Sequence, residues 1–212
     1  MKDIHQWILN NLPKDSTIIE AGTCEGLDTL FFSEHFTEGK IFGFEPIPAL
    51  FDQVKSRTYD RNNVVIYNMA LSDSSGKKTM NLSDRFGQIW GSSSFLNPKE
   101  HLKYNPEITF NSKVDVDMIR LDDFISQNQI KKIDLMWLDM QGYEPNVLMS
   151  SPDSLNITKY LYTEVSVLEN YEGMILYPEF KKFLEFHGFE AIHEGLYWTD
   201  GGNVLFENKN MN

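Results

Sequence analysis

A short turn between a predicted strand and a predicted helix constrains the fold more than any other feature of this chain. Ile18 and Ile19 end an apolar run typical of a buried strand, and Gly22 and Gly26 follow closely. Glycine allows a backbone to turn tightly and to pass close to a bound molecule. Residues 27–36 carry the apolar spacing of a helix, and residues 40–44 predict the next strand. A turn of this kind is typical of the ligand-binding edge of a parallel α/β sheet.

The residues around this turn favour one nucleoside cofactor over another. Glu45 ends the second predicted strand, where a carboxylate can accept both hydroxyls of a ribose. A pyrophosphate needs a G-x-G-x-x-G turn, but here Cys24 replaces the middle glycine and Glu20 and Glu25 flank the turn. Carboxylates favour a cation over a pyrophosphate. The turn therefore predicts S-adenosylmethionine, which carries a sulfonium and an ammonium, rather than NAD.

Composition restricts the partners and the compartment. The 212 residues include 19 basic and 31 acidic side chains, a net charge of −12, which argues against nucleic acid and anionic membrane surfaces as partners. The single cysteine permits no internal disulfide and fits a reducing compartment. The first eleven residues lack the apolar core of a signal peptide, and no apolar run is long enough to span a membrane. We therefore expect a soluble, cytoplasmic protein.

Strand and helix patterns alternate along the chain, which predicts an α/β fold with a mostly parallel sheet and helices on both faces. We expect one domain over residues 1–212, with an inserted hairpin and an acceptor-side loop at about 71–112. The other predicted elements are a leading helix (1–12), a helix (46–57), a third strand (63–70), a hairpin (71–83), an irregular segment (84–112), strands (114–119, 133–138 and 159–165), helices (121–127 and 178–187), a short helix that follows Pro145 to about Met149, and a closing antiparallel pair (189–193 and 203–207).

Five short motifs follow one another along about 70% of the chain: Ile19-Glu20-Ala21-Gly22 with Gly26, Phe44-Glu45-Pro46, Met69–Asp73, Leu121–Phe124 and Asp139–Glu144. Together they resemble the FkbM family of methyltransferases. The resemblance implies a Rossmann-like class I methyltransferase with a seven-stranded sheet and a C-terminal antiparallel hairpin. It also implies S-adenosylmethionine-dependent O-methylation of a hydroxyl on a saccharide or another small molecule. Two positions depart from the family pattern: Gln141 replaces a usual Glu, and Cys24 replaces a common Asn.

The motifs, placed on the predicted strand ends, give a set of cofactor-binding candidates: Glu20, Gly22, Thr23, Gly26, Glu45, Pro46, Ala70, Leu71 and Asp139. The resemblance implies that Gly22, Thr23 and Gly26 contact the amino-acid end of the cofactor. It places Glu45 on the ribose. Ala70 and Leu71 would border the adenine.

A base that removes the proton of an alcohol typically accelerates its reaction by about 10²–10⁴-fold. The candidates are Asp139, Glu164 and His101. Asp139 follows a buried strand at the ligand-binding edge, where three roles are open: the base, a group that orients the cofactor, or a helix cap. The chain has no Cys and His cluster at zinc spacing. A Mg²⁺ ion held by Asp139 and a neighbour is neither supported nor excluded.

Two other functions remain open at this point. An NAD-dependent oxidoreductase or epimerase would share the ribose carboxylate, but the missing middle glycine disfavours it. A nucleoside-binding module that has lost catalysis is the second alternative, because Gln141 removes a carboxylate from the segment that follows Asp139.

Overall fold

A seven-stranded sheet forms the centre of the protein in the computed structural model, which describes residues 4–211. In chain order the strands are β1 (Thr17–Ala21), β2 (Lys40–Phe44), β3 (Val64–Tyr67), β4 (Ala70–Ser72), β5 (Gly76–Arg85), β6 (Gln88–Ile89), β7 (Ile108–Arg120), β8 (Ile133–Leu138), β9 (Thr158–Ser166), β10 (Phe189–Gly195) and β11 (Gly201–Asn208). The large sheet has the order β10-β11-β9-β8-β1-β2-β3. Strands β1, β2, β3, β8 and β9 are parallel, and β10 and β11 are antiparallel additions at one edge. The predicted fold class is confirmed.

Helices cover both faces of this sheet. They are α1 (Ile4–Asn11), α2 (Leu27–His35), α3 (Pro48–Arg57), α4 (His101–Tyr104), α5 (Leu121–Gln127), α6 (Glu144–Met149), α7 (Pro152–Asn156) and α8 (Tyr177–Phe186). Ile18 packs with Ile8 and Phe32 on the face covered by α1 and α2. Its neighbour Ile19 packs with Phe124 and Phe180 on the opposite face. This alternation, with period two, explains why the central strands are apolar on both sides. Residues 1–3 of the predicted leading helix lie outside the described residues.

A second, four-stranded sheet has the order β4-β7-β5-β6, and here the sequence prediction was wrong. The hairpin predicted over residues 71–83 does not form, because Ala70 and Gly76 both pair with Met118 on β7. The turn at residues 73–75 thus carries the chain across the end of β7 instead of joining two paired strands. Strand β7 also begins at Ile108, so the irregular segment ends earlier than predicted and contains β6 and α4.

The true hairpin of this sheet joins β5 and β6. Asp84 pairs with Ile89, and Arg85 pairs with Gln88. Phe86 and Gly87 form the two-residue turn, with φ of 57° and 82°. Positive φ at both positions is the geometry of a type I′ turn, which suits the twist of a hairpin.

The carboxyl ends of β1, β2, β8 and β9 meet at one edge of the large sheet, because these strands are parallel neighbours. The segment from β6 to α4 lies over this edge and contributes to its cavities. Among the described residues, no helix is long and apolar enough to cross a membrane.

Candidate functional site

Two cavities meet at the carboxyl edge of the large sheet. The smaller cavity, of about 140 Å³, lies at the ends of β1 and β2. The larger cavity, of about 730 Å³, lies at the ends of β8 and β9. Trp90, Gly91, Asp139 and Gln141 line both. The two spaces are therefore neighbours that share a wall.

The glycine turn is fixed by contacts within the protein. Gly22 has φ of +83°, and a Cβ atom there would lie 1.8 Å from the carbonyl oxygen of Asp139. Gly26 has φ of +76°, and its Cβ would lie 2.3 Å from the side chain of Val54. Gly22 lines the smaller cavity, whereas Thr23 and Gly26 do not. The close approach that requires glycine is thus to the end of β8 and to α3.

Glu45 is the acid of the smaller cavity. Its Oε2 accepts a hydrogen bond from the backbone N–H of Cys24, and its Oε1 accepts one from Ile47, both at 2.9 Å. Burial raises the pKa of Glu45 to about 7, while these two hydrogen bonds oppose the rise. Each oxygen keeps a second lone pair for a further donor. A pair of ribose hydroxyls fits this arrangement.

The rest of the smaller cavity is mostly apolar. Ala70 and Leu71 line it, as predicted, and so does Pro46. Ile47, Leu50 and other apolar side chains complete a wall on which a flat base can pack. Cys24 also lines this cavity.

Glu20 is the cofactor-binding candidate that the structure moves furthest from the site. It lies on β1 with its side chain toward α2, is 1% exposed, and lines neither cavity. Side chains two residues apart on a strand lie on the same face of the sheet, so Glu20 lies on the face of Ile18, which α1 and α2 cover. Its Oε2 has no hydrogen-bond partner among the described residues, and burial raises its pKa to about 8.

Three carboxylates converge where the cavities meet. Asp139 follows β8, Glu164 lies on β9 and Glu144 begins α6, and each offers an oxygen within 4.8 Å of the others. Asp139 is exposed to the cavities although it lies deep within the protein. Burial raises the pKa of Asp139, and burial together with the charge of Asp139 raises the pKa of Glu164 much further. Of the two carboxyls, Glu164 is the one whose pKa is raised more strongly.

Gln141 connects two of these carboxylates. Its Nε2 donates to Oδ1 of Asp139 at 2.7 Å and to Oε2 of Glu164 at 2.9 Å. A cation between the two carboxylates would need acceptor atoms around it, whereas this position holds an amide donor. The arrangement therefore does not fit a metal ion between Asp139 and Glu164. From the sequence, Gln141 was recognised only as the replacement of a glutamate. Its hydrogen bonds to both Asp139 and Glu164 were not predicted.

His101 lines the larger cavity at a distance from the carboxylates. Its ring stacks on Tyr171, with centroids 5.4 Å apart, and burial lowers its pKa. The hydroxyl of Tyr171 lies 2.9 Å from Oε1 of Gln141. His101 is thus linked to Asp139 only through Tyr171 and Gln141, and it is neutral at pH 7.

Tyr177 and Lys181 have the Tyr-x-x-x-Lys spacing found in many NAD-dependent oxidoreductases. Lys181 forms an ion pair with Glu194 on β10, with Nζ and Oε1 2.5 Å apart. Neither residue lines the smaller cavity. The spacing therefore does not build an oxidoreductase site here.

A parallel sheet closed by an antiparallel hairpin, with a buried carboxylate after its second strand, defines a class I methyltransferase. The chain belongs to the FkbM methyltransferase domain family, whose model matches residues 20–191. The resemblance noted in the sequence is thereby confirmed. Family membership also decides between the alternatives: the protein is an S-adenosylmethionine-dependent methyltransferase and not an oxidoreductase.

Two characterised relatives are similar over most of their length. The chain is 30% identical to the 2-O-methyltransferase NoeI of Sinorhizobium fredii, over 86% of this chain and 80% of that protein. It is 25% identical to the methyltransferase sdnD of Sordaria araneosa, over 92% of this chain and 82% of that protein. Both names place the relatives among methyltransferases.

Two solved structures share the fold at low sequence identity. The N-terminal domain of EvdMO1, determined with SAH and D-fucose, has a TM-score of 0.54 at 11% identity, covering 96% of this chain and 80% of that one. The Aeropyrum pernix fibrillarin, determined with natively bound S-adenosylmethionine, has a TM-score of 0.50 at 12% identity, covering 92% and 68%. Both are Rossmann-like and support the fold.

Proposed function

We propose that the protein transfers a methyl group to a hydroxyl of a saccharide or another small molecule, with Asp139 as the general base. One observation carries the proposal: Asp139 lines both cavities. A group at the junction of a cofactor cavity and an acceptor cavity can contact the atoms that react. Glu164 and His101, the other candidates, line the larger cavity alone.

The smaller cavity is assigned to the cofactor. Glu45 offers one free lone pair on each oxygen to the ribose hydroxyls, and Ala70 and Leu71 offer an apolar wall to the base. Gly22 and Asp139 lie where the cofactor's amino-acid end would enter. When bound, S-adenosylmethionine supplies a methyl group on a positively charged sulfur. The net negative charge of this edge favours such a cation.

Asp139, Gln141 and Glu164 have different roles in this proposal. Asp139 takes the proton of the attacking hydroxyl, so the oxygen gains electron density as it forms its bond to carbon. Gln141 holds Asp139 by the 2.7 Å hydrogen bond and leaves its second oxygen for the acceptor. Glu164 stays protonated, because two charged carboxylates at this distance repel each other. Holding the hydroxyl in line contributes further to the rate.

One relative supports a hydroxyl as the acceptor, and one structure of the same fold suggests a sugar as a probe. NoeI is named a 2-O-methyltransferase, and the EvdMO1 structure contains D-fucose. Neither identifies the acceptor of this protein, and both guide the choice of probes.

A transfer assay tests the proposal. The protein is incubated with S-adenosylmethionine labelled in the methyl group and with methyl fucosides, D-fucose, other neutral sugars and non-carbohydrate alcohols. We expect label in an O-methyl ether, identified by mass spectrometry, with Asp139→Asn much slower. Calorimetry should show binding of S-adenosylhomocysteine and not of NAD. NAD binding without a response to S-adenosylhomocysteine would overturn the cofactor assignment, and N- or C-methylated products would overturn the hydroxyl assignment.

A further inference from the structure

The larger cavity has a charge pattern that selects among saccharides. Four carboxylic acids line it: Asp139, Glu144, Glu164 and Asp200. None of the described residues that line it is a lysine or an arginine. His101 is its one histidine, and burial lowers the pKa of that ring, so it adds no positive charge at neutral pH. A bound phosphate, sulfate or carboxylate would find no cationic partner on this wall.

The nearby cations are engaged elsewhere. Arg85 packs against the ring of Trp90, 4.8 Å from the ring centroid, without lining the cavity. Each cation from residue 85 to residue 103 has a carboxylate partner, in the pairs Arg85 with Glu107, Lys99 with Glu169 and Lys103 with Glu100. Recruiting one of them to an anionic ligand would break an existing ion pair.

Aromatic side chains also line this cavity. Trp90, Tyr104, Tyr197 and Trp198 all line it, and they are between 39% and 70% exposed. Exposed aromatics gathered around one cavity are typical of a binding surface. The apolar C–H faces of sugar rings pack on such rings, while sugar hydroxyls donate hydrogen bonds to carboxylates.

The size of the cavity fits more than one sugar ring. Its volume of about 730 Å³ lies in the upper part of the range of about 300–1,000 Å³ that holds drug-sized ligands. The cavity thus has room for a sugar together with the residue to which it is attached.

On the basis of the proposed function, we propose that the acceptor is a sugar in glycosidic linkage that carries no phosphate, sulfate or carboxylate. A nucleotide-linked sugar is excluded, because its pyrophosphate would face Asp139 and Asp200 without a counter-charge. Methylation therefore follows glycosyl transfer: the reaction that supplies this substrate has already released the sugar from its nucleotide carrier.

Binding to a glycan array tests this inference independently of turnover. The full chain, labelled and saturated with S-adenosylhomocysteine, is applied to matched sets of neutral, amine-bearing, sulfated, phosphorylated and sialylated glycans. We expect all bound glycans to be neutral or amine-bearing, with each sulfated or phosphorylated counterpart bound at least about tenfold more weakly. UDP-glucose should not compete for the cavity.

Two charge variants provide the internal comparison. Asp200→Lys places a cation in the cavity wall and should recover binding of the sulfated counterpart of a bound glycan. Glu172→Lys makes the same charge change at an exposed residue outside the cavity and should leave the selectivity unchanged. Sulfated or phosphorylated glycans bound as tightly as their parents would overturn the inference, and so would an array with no bound glycan. Calorimetry with S-adenosylhomocysteine on the same sample separates those outcomes from a failure of the cofactor assignment.

Discussion

The two cavities differ in the part of the chain that builds them. The smaller cavity is built from strand ends close in sequence, and its acid is held by backbone N–H groups of Cys24 and Ile47. The larger cavity is built from side chains that come from β9, α8, the segment over the edge and the loop between β10 and β11. Backbone fixes the first and side-chain contacts fix the second. We call the smaller cavity the cofactor half and the larger cavity the acceptor half, after the ligands proposed for them.

The difference is also electrostatic. In the smaller cavity two carboxylates, Glu45 and Asp139, lie in an otherwise mostly apolar wall. The larger cavity contains several acids, and Gln141 donates a hydrogen bond to two of them, Asp139 and Glu164. Substitutions in the first half should therefore change cofactor affinity, and those at the junction should change the rate.

The largest effect is expected at the junction. Asp139→Asn removes the base but preserves the shape of the side chain, and it should lower methyl transfer by about 10²–10⁴-fold. Cofactor affinity, measured by calorimetry with S-adenosylhomocysteine, should change little. Glu179→Gln, an exposed acid on α8, is the control. A larger loss of cofactor affinity than of transfer rate would instead show that Asp139 orients the cofactor. A drop in thermal stability alone would show that it is a helix cap.

The next effect is expected in the cofactor half. Glu45→Ala should weaken S-adenosylhomocysteine binding by roughly 2–4 kcal/mol, because it removes two hydrogen bonds to a charged acceptor. Because Glu45 is 3% exposed and accepts bonds from two backbone N–H groups, the protein should also unfold at a lower temperature. Glu25→Gln, at an exposed residue of the same turn, should do neither. An unchanged dissociation constant for Glu45→Ala would place the ribose elsewhere.

Substitutions at two glycines test how much the close contact between the Gly22 turn and the end of β8 constrains the fold. Gly22 and Gly173 have similar φ values, +83° and +72°, but a Cβ at Gly173 would meet nothing within 4 Å. Gly173→Ala should therefore cost only the strain of a left-handed residue, about 1–2 kcal/mol. Gly22→Ala adds the overlap with Asp139 and should lower the free energy of unfolding in urea by roughly 1–3 kcal/mol more. Equal losses would show that the turn and β8 can separate at no cost.

The smallest effect is a pH dependence in the cofactor half. The pKa of Glu45 is raised to about 7, so the carboxyl gains a proton as the pH falls below that value. A protonated carboxyl loses acceptor capacity for the ribose, and affinity for S-adenosylhomocysteine should fall by up to about tenfold for each pH unit below 7. Calorimetry from pH 5.5 to 8.5 measures the slope. Glu45→Gln should bind weakly with a flatter profile, and a slope that survives this change would belong to another group.

Six of the nine residues that the sequence nominated for the cofactor line the smaller cavity, because the determinants of their positions are local. Gly22, Glu45, Pro46, Ala70 and Leu71 follow predicted strands, and parallel strands bring their carboxyl ends together. Glu20 was nominated for the site because it lies two residues before the turn. Its distance from the turn does not determine which face of the sheet its side chain occupies, and the side chain lies on the face away from both cavities. Glu45 is also more buried than a strand end suggests, since the chain folds back over it at Ile47.

Most contacts of the acceptor half could not be predicted from the sequence. Tyr171 and Gln141 meet across 30 positions, and Gln141 meets Glu164 across 23. No spacing rule predicts such pairs. The hairpin over residues 71–83 was wrong for the same reason: the turn residues were recognised, but both arms pair with β7, whose partner residues come 30 to 48 positions later in the chain.

The loop between β10 and β11 has a consequence for how such an enzyme can diversify. Residues 197–200 line the larger cavity but belong to no helix or strand, and they close a hairpin at the edge of the sheet. Insertions or deletions there leave the sheet pairing and the glycine turn intact. New acceptor ranges are therefore accessible by varying this loop in length and composition, while the rest of the scaffold is inherited unchanged. A library confined to these four positions would explore substrate scope with little risk to folding.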